Sequence, residues 1–224
     1  MLLFAMLFGL ALSTAPMVVA QAEDVDVAAV SESVLEADPE ALVEGLAEPP
    51  ADEDLPEGFL NPPSGTPANA DLAESFELPT SDIEGAIGSV NFPFDTDPEV
   101  IPGLISAGYL NYIVVEDEIT DDMLEDFKTG AEEGLGTPAA GIESTVEDIT
   151  VGDTDGVLIT VVTTQSGASA VVQLVALPVG NTFVIGTALV ADQGEIDPAD
   201  VQTHAEDLTL AGVAYLGTVA EGAQ

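Results

Sequence analysis

The most regular pattern in the chain is a stretch without charged side chains between residues 156 and 191. Segments 157–164, 170–177 and 182–190 within it are rich in Val, Ile, Leu and Thr, which favours β-strands. Dipeptides typical of hairpin turns bound these segments: Asp155-Gly156, Ser166-Gly167 and Gly180-Asn181. With one more strand at residues 142–151, the pattern predicts a four-stranded antiparallel meander. The apolar runs are nearly continuous, so we expect both faces of its central strands to be covered.

Helical spacing occurs on both sides of this meander. Before it, Thr120 is a good N-cap, and Asp121 and Asp122 suit the positive end of a helix dipole. An apolar face follows, made of Met123, Leu124, Phe127 and Ala131, and the helix ends at Gly134 and Gly136. After the meander, Asp197 and Pro198 are typical of a helix start. The apolar stripe of this last helix consists of Val201, Ala205, Leu208, Gly212, Tyr215 and Val219.

Further strands are predicted ahead of the first of these helices. Residues 83–94 suggest two strands broken by glycines, residues 95–98 a turn, and residues 109–115 a strand rich in aromatic and β-branched side chains. The order is therefore strand, helix, several antiparallel strands, helix. It predicts an α+β domain over residues 76–224, in which helices pack on an antiparallel β-sheet.

The first 22 residues carry no charged side chain and contain a short apolar run. Ala20-Gln21-Ala22 fits a small-x-small cleavage site, so we interpret residues 1–22 as a cleaved secretory signal peptide. The usual basic residues before the run are missing, which a start codon assigned too far downstream explains. The alternative is an uncleaved membrane anchor. A cleaved signal predicts a secreted protein, either extracellular or in the cell envelope.

Residues 23–75 are acidic and rich in proline. This composition predicts a mostly disordered, extended linker with one local helix at residues 31–46. Near its end, residues 55–59 form a candidate anchor that docks Phe59 on the domain.

Charge changes this picture more than any motif does. The chain has 42 Asp and Glu against one Lys or Arg, a formal net charge of −41, yet its hydrophobic fraction of 46% is ample for a core. Nucleic acids and anionic membranes are bound through Lys and Arg, so both are excluded as partners. The acidity predicts adaptation to high salt, divalent cations or low pH, each of which relieves self-repulsion. A compositional bias of the whole lineage is the alternative.

Candidate chemistry is sparse. His204 is the only histidine, and we expect it to be a partly exposed helix residue; Lys128, the only lysine, is expected to be a solvated helix residue. The chain has no cysteine, which excludes disulfides and thiolate metal sites. Alternating carboxylates in two turns leave weak Ca2+ binding open, and no other cofactor is expected. The candidate ligands are Asp95, Asp97, Glu99, Asp153 and Asp155.

The element order over residues 83–220 resembles that of the PsbP-like sandwich domains, which include exported lipoproteins. The lipid-bearing cysteine of the lipoprotein members is absent here. The resemblance implies a non-enzymatic accessory or binding domain, and no site residue can be transferred.

We therefore expect an exported, monomeric, non-enzymatic domain that binds an unknown small ligand or an envelope protein. Two alternatives stay open: an extracellular hydrolase that uses two carboxylates, and a surface protein stabilised by Ca2+.

Overall fold

A computed structural model describes residues 25–63, 85–136, 141–165 and 167–224. These contain four α-helices, a short 3-10 helix at Asp52–Asp54 and seven strands. The helices are α1 (Val27–Glu36), α2 (Pro39–Gly45), α3 (Asp121–Leu135) and α4 (Pro198–Gly222). The strands are β1 (Phe59–Leu60), β2 (Ala86–Thr96), β3 (Ile105–Val115), β4 (Ile142–Val151), β5 (Thr154–Gln165), β6 (Ala168–Val179) and β7 (Thr182–Gln193). None of the described helices is long and apolar enough to cross a membrane.

All seven strands form one antiparallel sheet in the order β1-β2-β3-β7-β6-β5-β4. The predicted meander is confirmed as β4 to β7, and β7 joins it to β3 in the middle of the sheet. The mixed α+β class, with helices packed on an antiparallel sheet, is confirmed as well.

Helices cover both faces of the central strands, as the apolar runs predict. On one face α4 crosses β7 and β6, and α1 and α2 pack beside it. On the other face α3 lies over a smaller cluster, in which Phe127 stacks on Phe183 with ring centroids 5.2 Å apart. As a result, β7 is buried from Thr182 to Val190.

Gly186 of β7 has no side chain, which allows α4 to approach this strand closely. A Cβ at Gly186 would lie 2.6 Å from the Ala205 carbonyl oxygen of α4. In the space left, the Gly186 N–H donates a hydrogen bond of 3.1 Å to the buried Thr209 hydroxyl. That hydroxyl in turn donates to the Ala205 carbonyl at 2.7 Å. Only glycine fits here, because the helix backbone occupies the position of its side chain.

The predicted linker is wrong for residues 25–63, which fold against the domain. In place of one helix at 31–46 there are two, because Asp38 caps a new helix that begins at Pro39. Both contribute to the core, where Val34, Leu42 and Leu46 are fully buried. The free energy gained by burying these apolar residues against the sheet and α4 folds the segment despite its acidic, proline-rich composition. Its charged side chains stay on the outer side.

The anchor predicted at residues 55–59 is confirmed. Phe59 is 2% exposed and belongs to β1, which pairs with the end of β2. Its ring lies over Gly108, where any Cβ would collide with it. The Tyr215 hydroxyl of α4 also donates a 2.6 Å hydrogen bond to the Glu48 carbonyl, which ties the segment between α2 and β1 to the domain.

Two local predictions need correction. Residues 86–96 form one strand with an irregularity between Ala86 and Gly88, where a broken pair was expected. The first hairpin turns at Gly152 and Asp153, so Asp155 and Gly156 belong to β5. Gly152 has φ +61°, which suits the turn, whereas a Cβ at Gly156 would lie 2.5 Å from the Ala176 carbonyl oxygen of the neighbouring strand β6. The predicted signal peptide and Ser166 lie outside the described residues.

Candidate functional site

The candidate site is a cavity of about 440 Å³ at one end of the sheet. The end of β7, the start of α4 and the loop between β2 and β3 enclose it. Its polar lining includes four carboxylates and one imidazole, from Asp192, Glu195, Asp197, Asp200 and His204. A volume of this size is in the range of ligand pockets in proteins.

The junction between β7 and α4 brings the carboxylates together. Gly194, at φ +133°, lets the chain turn directly after β7. Asp197 then caps α4, and its carboxylate accepts a 3.0 Å hydrogen bond from the Ala199 N–H. Asp200 follows in the first turn of the helix. The acidic groups are thus spaced over a strand end, a turn and a helix start, with their side chains around one opening.

The floor of the cavity is apolar and firmly packed. Ile101, Val190 and Val201 contribute to it and are all buried. Ile101 is held in place because its N–H donates a 2.8 Å hydrogen bond to the Asp97 carbonyl. A 2.8 Å hydrogen bond from the Leu104 N–H to the Ala191 carbonyl closes the loop onto β7. An apolar floor under a carboxylate rim suits a ligand that has both an apolar part and a positive charge.

His204 forms part of the wall. It is half-buried, as expected for a partly exposed helix histidine, and its ring meets Phe59 edge-on at 6.3 Å between centroids. Burial lowers its pKa below the ordinary value of 6.5, although the carboxylates of Asp207 and Asp200 oppose that shift. A lowered pKa favours the neutral form of the ring at pH 7.

No lysine or arginine offsets the cavity carboxylates. The single lysine, Lys128, lies on α3 and forms a 2.5 Å ion pair with Asp148 of β4. The hydrogen bond that Lys128 donates to the Asp148 carboxylate raises the pKa of Lys128. The field at the cavity mouth is consequently negative, and it attracts cations over a distance set by ionic strength.

The residues proposed as Ca2+ ligands lie in two separate places. Asp95 is in β2, and Asp97 and Glu99 are in the loop that follows it. The Asp97 carboxylate accepts a 2.9 Å hydrogen bond from the Glu99 N–H of its own turn. Asp153 is in the β4–β5 turn, and Asp155 accepts a 3.0 Å hydrogen bond from the Thr150 hydroxyl. Among the described residues no three acidic or histidine side chains come together as a metal site.

The hydrolase alternative requires carboxylates shielded from water, since burial is what raises the pKa of a catalytic acid. Within the described ranges every aspartate and glutamate is at least partly exposed. The least exposed carboxylates include Asp192 of the cavity and Asp95 of β2. The arrangement therefore places the acids where they interact with solvent and solutes.

Sequence reasoning identified Asp197 only as a helix cap and did not identify the cavity. A usable signal was present, because four acids between positions 192 and 200 follow directly on the charge-free run. The apolar floor gave no such signal, because Ile101 and Pro102 come from a loop about ninety residues earlier in the chain.

A second polar feature lies on the α3 side of the sheet. Asn111 and Thr187 are buried, and the Asn111 side-chain nitrogen and the Thr187 hydroxyl have no hydrogen-bond partner in the described structure. Tyr109 is on the same face, opposite Thr187 in register. Burial, with a smaller effect of the Asp95 charge, raises the pKa of Tyr109 to about 12.

The chain matches no known protein-family profile and no curated protein sequence. Among solved structures, a Pseudomonas aeruginosa protein of unknown function aligns with 52% of this chain and 74% of its own, at 15% identity and a TM-score of 0.31. That degree of similarity carries no argument about fold or function.

Proposed function

We propose that this chain is an exported, non-enzymatic binding domain whose acidic cavity takes a small cationic ligand with an apolar portion. The proposal includes secretion after removal of residues 1–22, and the PsbP-like sandwich as the finer description of its α+β fold. The observation that carries it is the cavity itself, which combines a buried apolar floor with a rim of carboxylates.

The two parts of the cavity act on different parts of such a ligand. The floor removes apolar ligand surface from water, at roughly 25 cal/mol per Å². Each carboxylate about 6 Å from a ligand cation contributes roughly 0.7 kcal/mol in a water-like dielectric. Neither term is large alone, so a ligand that offers both a charge and an apolar chain is favoured over one that offers either.

Ionic strength and pH set how strongly the rim carboxylates attract a ligand cation. At about 1 M salt the Debye length is roughly 3 Å, and the rim then attracts only cations in direct contact. The expected adaptation to salt, divalent cations or low pH therefore makes the apolar floor the main contributor to affinity in such surroundings.

Hexylammonium tests the proposal, with ammonium and hexanoate as comparison probes. The signals of the single imidazole, His204, report binding by NMR because this side chain lines the cavity. At pH 7.5 and constant ionic strength we expect saturable shifts with hexylammonium, a weaker response to ammonium and none to hexanoate.

Two double variants test whether the rim carboxylates are responsible for hexylammonium binding. Glu195→Gln with Asp200→Asn removes two rim charges without touching the Asp197 cap, and we expect about tenfold weaker hexylammonium binding. Glu132→Gln with Glu133→Gln removes the same charge from exposed positions of α3 and is the matched control. Equal weakening by both pairs, or equal binding of hexylammonium and hexanoate, would contradict the proposal.

A further inference from the structure

Strand β4 forms one edge of the sheet over its whole length. It pairs with β5 in continuous register from Ile142 opposite Thr163 to Val151 opposite Thr154. Its outer side pairs with no other strand among the described residues, because β4 is last in the strand order. The opposite edge differs, since β1 there has only two residues.

Long edge strands are usually protected against further pairing by proline, by charged side chains, above all lysine, by a bulge or by short length. The ten residues of β4 include no proline or lysine, and the pairing with β5 shows no bulge. Its charged residues are Glu143, Glu147 and Asp148, all negative and all exposed. Two copies of β4 placed edge to edge would oppose like charges, which disfavours pairing. The charges of the edge therefore disfavour pairing between two copies of β4 but do not disfavour pairing with a basic strand.

The spacing of these charges is regular. Side chains alternate between the two faces of a strand, so Glu143, Thr145 and Glu147 share one face. The two glutamates are about 13 Å apart along the strand, at roughly 3.3 Å per residue. Asp148 belongs to the other face, where it is already paired with Lys128 of α3. The free charges of the edge are thus a pair of carboxylates four residues apart.

We infer that β4 is a docking edge for an extended basic peptide of a partner protein, which adds to the sheet as a further strand. Backbone hydrogen bonds along the edge supply part of the affinity, as in other cases of strand addition. Two cationic side chains of the peptide, also four residues apart, lie opposite Glu143 and Glu147. The site is separate from the acidic cavity and does not depend on the ligand proposed there.

Fluorescence anisotropy with labelled heptapeptides at 0.15 M NaCl tests this inference. The matched peptide has arginine at positions 2 and 6 and valine or threonine elsewhere. A spacing control has arginine at positions 2 and 5, which places the two charges on opposite faces. A third peptide repeats the matched sequence with N-methyl groups at alternate residues, so that it keeps its charge but loses the hydrogen-bonding edge.

We expect the matched peptide to bind about fivefold more tightly than the spacing control, and the N-methylated peptide not to bind. Glu143→Gln with Glu147→Gln should remove the preference between the matched and spacing peptides. Glu132→Gln with Glu133→Gln, the matched control on α3, should retain it. Slower amide exchange in β4 on addition of the matched peptide would place the contact at the edge.

Equal affinity for the two spacings, binding of the N-methylated peptide, or no binding at all would overturn the inference. The variant with Glu195→Gln and Asp200→Asn separates it from the cavity proposal. That variant should bind the matched peptide as the unaltered chain does, even though its affinity for hexylammonium falls.

Discussion

Replacing Leu42 by alanine tests whether the acidic segment ahead of β1 is part of the folded domain. Leu42 lies in α2, is fully buried, and α2 packs against β2 and α4. Truncating a fully buried leucine costs about 2–5 kcal/mol, from lost transfer free energy and the cavity left behind. Leucine and alanine both favour helices, so helix propensity contributes little to that loss.

The melting temperature gives the measurable consequence. For a chain of this size each kcal/mol corresponds to about 2–4 °C, so Leu42→Ala should lower Tm by about 4–20 °C. Leu35→Ala is the matched control, because Leu35 lies in α1, is 43% exposed, and undergoes the same substitution. Surface substitutions of that kind stay within about 0.5 kcal/mol.

Urea and thermal unfolding followed by circular dichroism in 1 M NaCl measure both variants with charge repulsion screened. Amide exchange of α2 in the unaltered chain is the companion measurement, because α1 and α2 can detach without global unfolding. If Leu42→Ala and Leu35→Ala have the same Tm and the α2 amides exchange freely, the segment is the extended linker that its composition suggests, and the reasoning fails.

Four further outcomes are expected. Because burial lowers the pKa of His204, this residue should titrate below 6.5 by NMR. The stability of the native chain relative to His204→Gln should fall as pH drops below about 6.5, because the unfolded state then binds more protons. A measured His204 pKa above 6.5 would mean that the net negative charge outweighs burial. Thr209→Val should destabilise the fold by about 1–3 kcal/mol in urea unfolding, because it leaves the buried Gly186 N–H without its hydroxyl acceptor, whereas Thr203→Val on the exposed side of α4 should cost much less. Tm should rise between 0.1 and 1 M NaCl as the Debye length falls from about 10 to 3 Å, and a flat response would refute the role assigned to repulsion. The calcium hypothesis predicts a larger rise in CaCl2 than in NaCl of equal ionic strength, reduced by Asp153→Asn, and equal rises would count against it.

The predictions that succeeded rest on interactions between residues close in sequence. Thr120 accepts a hydrogen bond from the Met123 N–H and starts α3, and Asp197 with Pro198 starts α4. The meander follows from alternating short turns and apolar runs, which only an antiparallel sheet can bury together. The helix starts depend on residues within four positions of one another, and the meander depends on short turns between strands that follow one another in the chain.

The predictions that failed depend on contacts between distant segments. Asp26 and Asp38 mark two helix starts, but only packing of Leu42 and Leu46 on the sheet and α4 makes the segment part of the core. The first hairpin turn was predicted at Asp155-Gly156, but β4 and β5 pair as far as Val151 opposite Thr154, which places the turn at Gly152 and Asp153.

The sequence by itself predicted an anionic chain with a charge-free run of strands at residues 156–191, capped helices and too few cationic residues to bind nucleic acid. Tertiary structure alone decided where those charges act. The acidic cavity exists because the loop at Ile101 meets the start of α4, and the acidic edge of the sheet exists because β4 is outermost in the strand order. Local patterns fix strands and helices through near-neighbour hydrogen bonds, whereas cavities and edges depend on which distant elements pack together, and no near-neighbour pattern encodes that choice.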